Sequence, residues 1–293
     1  MEDRFVGSML GLALGDALGA KHEGGPLGQA AWWMLGIGKG DLLRWSDDTQ
    51  MAMGLAESLI AKRGLDADHV AKLWAERADW KRGYGSGARR LLALIAKGAD
   101  WREANKAIFP DGSFGNGAAM RAAPLGLYCH RDPQALRQAA ELASSITHAH
   151  PLGIEGGVLI AKATAMALTG PPDLPILRAE ATSSEYRSRL EWAQMWLSRE
   201  PDAQRVRDAL GSSVAAHESA VTAVYASRRF TDFKAMMEFI IAMGGDTDTI
   251  GAMAGGIFGA RYGVAALPAE LLARLEARDE IERLARELFR ISS

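Results

Sequence analysis

Between positions 11 and 19 the chain reads Gly11-Leu12-Ala13-Leu14-Gly15-Asp16-Ala17-Leu18-Gly19. The residues between the glycines are mostly good helix formers, and on a helix a step of four returns to the same face. Gly11, Gly15 and Gly19 therefore form a helix face without side chains. The same step recurs far along the chain at Gly251, Gly255 and Gly259. Both stripes read as sites of tight helix–helix contact, because glycine lets two backbones approach closely.

Working outward, helical periodicity dominates. Asp66 to Trp80, Ala88 to Lys97, Pro133 to Ser145, Glu155 to Leu168, Glu185 to Ser198, Phe233 to Met243 and Pro268 to Phe289 all carry helix-like spacing. No β-branched run alternates for long enough to read as a strand. Gly170 to Pro175 and Pro201 read as turns, and no low-complexity linker divides the chain. The expectation is an all-α fold of about ten or more helices, a compact orthogonal multi-helix bundle forming a single domain over 1–293.

The chain has 293 residues, 48% hydrophobic and 24% charged, with a formal net charge of -2. That balance argues against general nucleic-acid binding, which needs a basic excess. The single cysteine, Cys129, permits no internal disulfide and no thiolate cluster for zinc, so a reducing cytoplasm is expected. The apolar run Phe5 to Ala20 follows Glu2 and Asp3 and is interrupted by Asp16, which is unlike an export signal. Gly156 to Leu168 is too short to span a bilayer. Neither export nor a membrane is expected, and a monomer is the default.

Two acidic clusters stand out. Trp45-Ser46-Asp47-Asp48-Thr49 opens an apolar helical segment, Met51 to Ile60, and Gly244-Gly245-Asp246-Thr247-Asp248-Thr249 precedes another, Ile250 to Tyr262. Helix capping explains each cluster alone, since Ser and Asp suit the first turn. Together, four carboxylates beside hydroxyls form an all-oxygen set that selects Mg²⁺, Mn²⁺ or Ca²⁺ over zinc. Two such ions about 3.5–4 Å apart would hold a water and a substrate diol. Terpenoid synthases also carry an aspartate-rich helix, but Asp47-Asp48-Thr49-Gln50-Met51 lacks the third acid. Asp246-Thr247-Asp248 resembles the phosphatase DxD motif, yet no strand leads into it.

In this order and spacing the motifs resemble the ADP-ribosylglycohydrolase family, which includes the dinitrogenase reductase-activating glycohydrolases. The resemblance runs from about Gly11 to Arg261. It rests on Gly11 to Gly19 with Glu23 following, Trp45 to Thr49, Arg82-Gly83-Tyr84-Gly85, Gly112 to Arg121, Thr147-His148 and Gly244 to Thr249. It implies an all-α fold, a dinuclear Mg²⁺ or Mn²⁺ site and hydrolysis of an ADP-ribosyl bond. Matched by position, Ser46, Asp47, Asp48, Asp246, Asp248 and Thr249 correspond to the metal ligands. Glu23 corresponds to an acid on a mobile loop. Gly112, Ser113, Phe114, Gly115 and Asn116 correspond to the segment holding phosphates and distal ribose, with Phe114 at the place of an aromatic that stacks on adenine. His148 corresponds to a histidine lining the ribose pocket.

The expected reaction breaks the bond between C1 of the distal ribose and a target atom, with Asp47, Asp48 or Asp248 moving the proton and Glu23 as the outsider. Substrates would be an ADP-ribosylated protein or a small ADP-ribose ester. ADP-ribosylarginine is slightly favoured over serine, polymer or O-acetyl linkages, and Ala20 to Arg44 and Arg77 to Arg89 are expected to select among them. The alternative is a non-catalytic ADP-ribose-binding or crystallin-like structural protein. His150 reads as structural or solvent-facing, and Arg121 as either a phosphate partner or a structural ion. Trp32, Trp33, Trp74, Trp80, Trp101, Trp192 and Trp196 read as core or interface residues.

Overall fold

Many helices start where a short acid or hydroxyl can cap them. The side chains of Asp66, Asp100, Asp132, Asp173, Ser183, Asp202 and Asp232 each accept a bond from a backbone N–H in the following turn. In a computed structural model describing residues 1–23, 30, 32, 34 and 41–292, these caps help delimit sixteen α-helices. The first half holds α1 (Glu2–Gly19), α2 (Asp47–Lys62), α3 (Ala67–Arg77), α4 (Ser86–Ala96), α5 (Trp101–Ile108), α6 (Ala123–Tyr128), α7 (Pro133–Ser145) and α8 (Pro151–Ala167). The second holds α9 (Leu174–Glu180), α10 (Ser184–Trp196), α11 (Ala203–Leu210), α12 (Ala216–Arg229), α13 (Phe233–Met243), α14 (Thr247–Tyr262), α15 (Ala269–Leu272) and α16 (Arg278–Ile291). Among the described residues the only β-type pairings are two isolated bridges, Leu43 with Leu275 and Gly115 with Ala215. The fold is all-α.

The two glycine stripes pack against each other. Helices α1 and α14 run antiparallel, with Gly11 against Gly255 and Gly15 against Gly251. A Cβ on Gly15 would lie 2.0 Å from the Gly251 carbonyl oxygen, and one on Gly255 would lie 2.1 Å from that of Gly11. Only glycine allows backbones this near. Ser8 donates to the Gly256 carbonyl at 2.9 Å and Thr247 to the Gly19 carbonyl at 3.0 Å, tying the seam near both ends. The pairing sets the end of α1 beside the start of α14. Around it a continuous core takes in Phe5, Leu10, Leu14, Tyr186, Tyr225, Phe233 and Phe258.

Several elements differ from expectation. The stretch Pro268 to Phe289 is not one helix: it breaks between α15 and α16, where Ala277 adopts a left-handed φ of 54°. The break frees backbone for Leu43, whose N–H donates to the Arg274 carbonyl at 2.7 Å while the Glu276 N–H donates to the Leu43 carbonyl at 3.1 Å. Tertiary pairing overrides helix propensity here. The expected Asp66 to Trp80 helix ends at Arg77, and Trp80–Arg82 forms a separate 3₁₀ turn. Helix α8 starts four residues early, at Pro151, with the His150 ring accepting from the Leu152 N–H at 3.2 Å. That cap bears out the structural reading of His150. Trp74, Trp101 and Trp196 are buried, whereas Trp80 and Trp192 are exposed; Trp33 lies outside the described residues. No helix among the described residues is long and apolar enough to cross a membrane.

Candidate active site

The first acidic cluster is held by a residue that the sequence reading passed over. Asp16, in the last turn of α1, is fully buried. Its carboxylate accepts from the Ser46 N–H at 2.9 Å, the Thr49 N–H at 3.0 Å and the Thr49 hydroxyl at 2.6 Å. It therefore fixes the turn that launches α2. Its only sequence signal was a carboxylate inside an apolar helix, which is costly to bury without partners. Ser46 caps α2 by accepting from the Asp48 N–H at 3.2 Å. The turn is held from outside by Arg82, which stacks 3.7 Å over the Trp45 ring, donates to the Trp45 carbonyl at 3.0 Å and pairs with both Glu276 oxygens.

The second cluster begins at Gly244 and Gly245, both at positive φ, with Gly245 pressed on the Ser212 carbonyl. The Asp246 N–H donates to that carbonyl at 2.8 Å. Asp246 occupies the N-cap of α14 but makes no side-chain cap bond. Its carboxylate instead accepts from the Asn116 side-chain amide at 2.6 Å, so capping does not explain it. Carboxylate oxygens of Glu23, Asp246 and Asp248 lie within 4.8 Å of one another. Glu23 is exposed as a residue, but its carboxyl turns inward to bond with Asp248.

The two clusters meet. Thr249 hydrogen-bonds the Asp48 carboxylate, and Asp48, Asp246 and Asp248 act on one another electrostatically. Burial first, then the neighbouring acids, pushes Asp47 up to about 7 and raises Asp48 and Asp248 well above the carboxylate range. Burial lifts Asp16 to about 6 against the pull of its hydrogen bonds. One Asp48 oxygen, Oδ2, is buried with no hydrogen-bond partner. The nearby cation that acts on Asp47 and Asp48 is Arg121, buried beneath them and stacked 4.0 Å over Trp74. One guanidinium cannot balance Glu23, Asp47, Asp48, Asp246 and Asp248. Like charges this close call for added positive charge, and the orphaned Asp48 oxygen gives it a ligand. The acidic cluster is thus able to hold a metal, and its oxygen donors suit a hard divalent cation.

These acids floor a cleft of about 340 Å³, within the range of small-molecule ligand sites. One wall carries Ser113, Gly115, Asn116, Gly117 and His148; the other carries Gly83, Gly85, Ser86, Gly87, Ala88, Leu91 and Phe109. Among the expected substrate residues, Gly112 and Phe114 lie off this lining. Gly112, at φ 80°, packs on the His150 backbone and shapes the turn. Phe114 is 52% exposed at the rim, edge-on to His150 with ring centroids 5.8 Å apart. Ser46 also stands behind the lining, between Asp16 and Asp48. Phe109 was not anticipated; it lies over Gly87, where a Cβ would come within 2.3 Å of the ring.

Fold and site define an all-helical protein whose cleft is built around clustered carboxylates. The family model described as ADP-ribosylglycohydrolase matches residues 1–293. The chain is 31% identical over 336 residues to the ADP-ribosylhydrolase ARH3 of Danio rerio, covering 99% of this chain and 90% of the relative. It is 30% identical over 339 residues to that of Homo sapiens, covering 98% and 93%. A solved structure of an ADP-ribosylglycohydrolase-related protein complex matches with a TM-score of 0.75 and 31% identity, covering 100% of this chain and 99% of that one. The chain belongs to the ADP-ribosylglycohydrolase family and is a glycosyl hydrolase.

Proposed function

We propose that the protein is a hydrolase dependent on two Mg²⁺ or Mn²⁺ ions that releases ADP-ribose from an oxygen-linked target. The observation that carries the reading is the meeting of two acidic clusters, each at a helix start, around a buried Asp48 oxygen that has no partner. Ser46, Asp47, Asp48, Asp246, Asp248 and Thr249 would hold the ions. Bound there, the ions supply Lewis-acid polarisation of the ribose hydroxyls and the attacking water.

The chain's own residues supply orientation and proton transfer. Asn116 and Ser113 line the wall where the distal ribose and phosphates lie, while Phe114 at the rim takes the adenine by stacking. A carboxylate of Asp47, Asp48 or Asp248 accepts the proton from water as C1 loses its bond to the leaving oxygen. Glu23, turned inward beside Asp248, sits where that oxygen recovers a proton. An arginine leaving group would call for a separate carboxylate facing the guanidinium. Among the described lining residues the only acids are Glu23 and the four aspartates of the clusters. We therefore favour a serine, polymer or ester linkage over ADP-ribosylarginine, and the names of the relatives lend the arginine linkage no support.

The test is release of free ADP-ribose from arginine-, serine-, polymer- and acetyl-linked substrates, each with EDTA, Mg²⁺ and Mn²⁺. Metal-dependent release from an oxygen-linked substrate is expected. Tight ADP-ribose binding without release from any substrate would overturn the reading in favour of a non-catalytic binding protein.

A further inference from the structure

Buried Arg121 and Thr147 and half-buried His148 form a chain of polar groups ending at the cleft. Arg121 Nη2 donates to Thr147 Oγ1 at 2.6 Å, and Thr147 Oγ1 lies 2.6 Å from His148 Nδ1. Arg121 and Thr147 are 2% and 4% exposed. A guanidinium can only donate, so Thr147 Oγ1 must accept from it. Among the described residues, the acceptor that the hydroxyl proton of Thr147 meets is the ring nitrogen Nδ1. Were Nδ1 to carry the proton instead, Thr147 would accept twice and leave its own buried proton unsatisfied, which costs free energy.

We propose that Arg121 and Thr147 are positioning residues that fix His148 as the neutral Nε2–H tautomer, so that the cleft offers substrate a hydrogen-bond donor. The neighbourhood fits. Nε2 lies toward the glycines of the substrate wall, within 3.2 Å of where a Gly117 Cβ would stand. Burial, with Arg121 adding repulsion, holds the ring uncharged, with its pKa down near 3. The stack of Arg121 on Trp74 keeps the guanidinium in place. A donor at Nε2 recognises an oxygen acceptor, either a ribose hydroxyl or a phosphate oxygen, and repels a bound amine or guanidinium. The ligand's identity rests on the proposed function; the tautomer does not.

The experiment is ¹H–¹⁵N NMR of the full chain with ¹⁵N-labelled histidine, the His148 signals assigned by His148→Gln, together with calorimetric binding of free ADP-ribose. Expected are an Nε2–H signature for His148 persisting at pH 5, retained in Thr147→Ser and lost in Thr147→Val. ADP-ribose should bind about 3–10-fold more weakly to Thr147→Val, the worth of one net hydrogen bond, and normally to Thr147→Ser. An Nδ1–H or mixed tautomer in the unaltered protein overturns the proposal, and needs no variant to fold. So does a folded Thr147→Val that keeps the Nε2–H signature and unchanged affinity. The expected tautomer with no ADP-ribose binding by the unaltered protein would instead count against the proposed ligand.

Discussion

Removing divalent cations should make the protein less stable as pH rises from 6.5 to 8, and restoring them should abolish that slope. The reasoning starts from carboxyls whose folded pKa lies above the unfolded value. In the unfolded chain Asp47 is ionised well below pH 6; in the metal-free fold it titrates at about 7. The folded state then binds more protons than the unfolded state, so stability is fully present below about pH 4 and is lost as pH rises through 7. The whole shift, from 3.8 to about 7, corresponds to about 4 kcal/mol at roughly 1.4 kcal/mol per unit. Between pH 6.5 and 8 Asp47 alone removes about 1 kcal/mol. Asp48 and Asp248 are raised further and act in the same direction. His148, pushed down to about 3, works oppositely, adding stability between its folded value and about 6.5, and is silent above that. The window is chosen for this reason. At about 2–4 °C per kcal/mol, a Tm fall of at least about 2 °C is expected in EDTA. Cations displace the retained protons, so excess Mg²⁺ or Mn²⁺ should raise Tm more at pH 8 than at pH 6.5; the total stabilisation is about 3 kcal/mol wherever the cation stands at a hundred times Kd. Scanning calorimetry across this window is the assay. A Tm in EDTA that stays level or climbs with pH, or a metal effect that is no larger at pH 8, would refute the account.

Three further outcomes can be checked directly. Asp48→Asn should cut ADP-ribose release by roughly 100-fold or more, since partners one layer further out already cost 10–100-fold; its Tm in EDTA should hold or rise, because a crowded buried acid is gone, and normal turnover would count against the role. Asp16→Ala strands the N–H groups of Ser46 and Thr49, each worth about 1–3 kcal/mol, so a denaturation midpoint close to that of the unaltered chain would contradict the anchoring described. Gly15→Ala drives a Cβ to 2.0 Å from the Gly251 carbonyl and should cost about 3 kcal/mol or more; a soluble, fully stable variant would mean that the seam is looser than described.

The helical class was legible because caps and helix formers are local. So was the contact role of each glycine stripe. Their mutual pairing was not, since periodicity marks a face without saying what lies opposite. The break before α16 was hidden for a related reason: Leu43, more than two hundred residues away, draws out backbone that propensity would have kept helical. At the site, acidity marked Asp47, Asp48, Asp246 and Asp248, and the structure brings their clusters together. Asp16 escaped because a single acid in an apolar helix looks like an interruption until its partners are placed. Arg121 was ambiguous in sequence; its stack on Trp74 and its bond to Thr147 hold it at the inner lining of the cleft. The loop Ala20 to Arg44, expected to select the linkage, falls largely outside the described residues.

The α1–α14 seam also bears on how the chain comes to be folded. Ser8 and Gly256, bonded across it, stand 248 residues apart. During synthesis α1 therefore waits, with a strip of bare backbone on one face, until almost the whole chain has emerged. Contacts this distant in sequence form slowly, and exposed apolar surface in the interval favours aggregation. The acids at the end of α1 and the start of α14 come together only when α14 docks, so a nascent chain is catalytically silent and the reaction begins as a late event of folding.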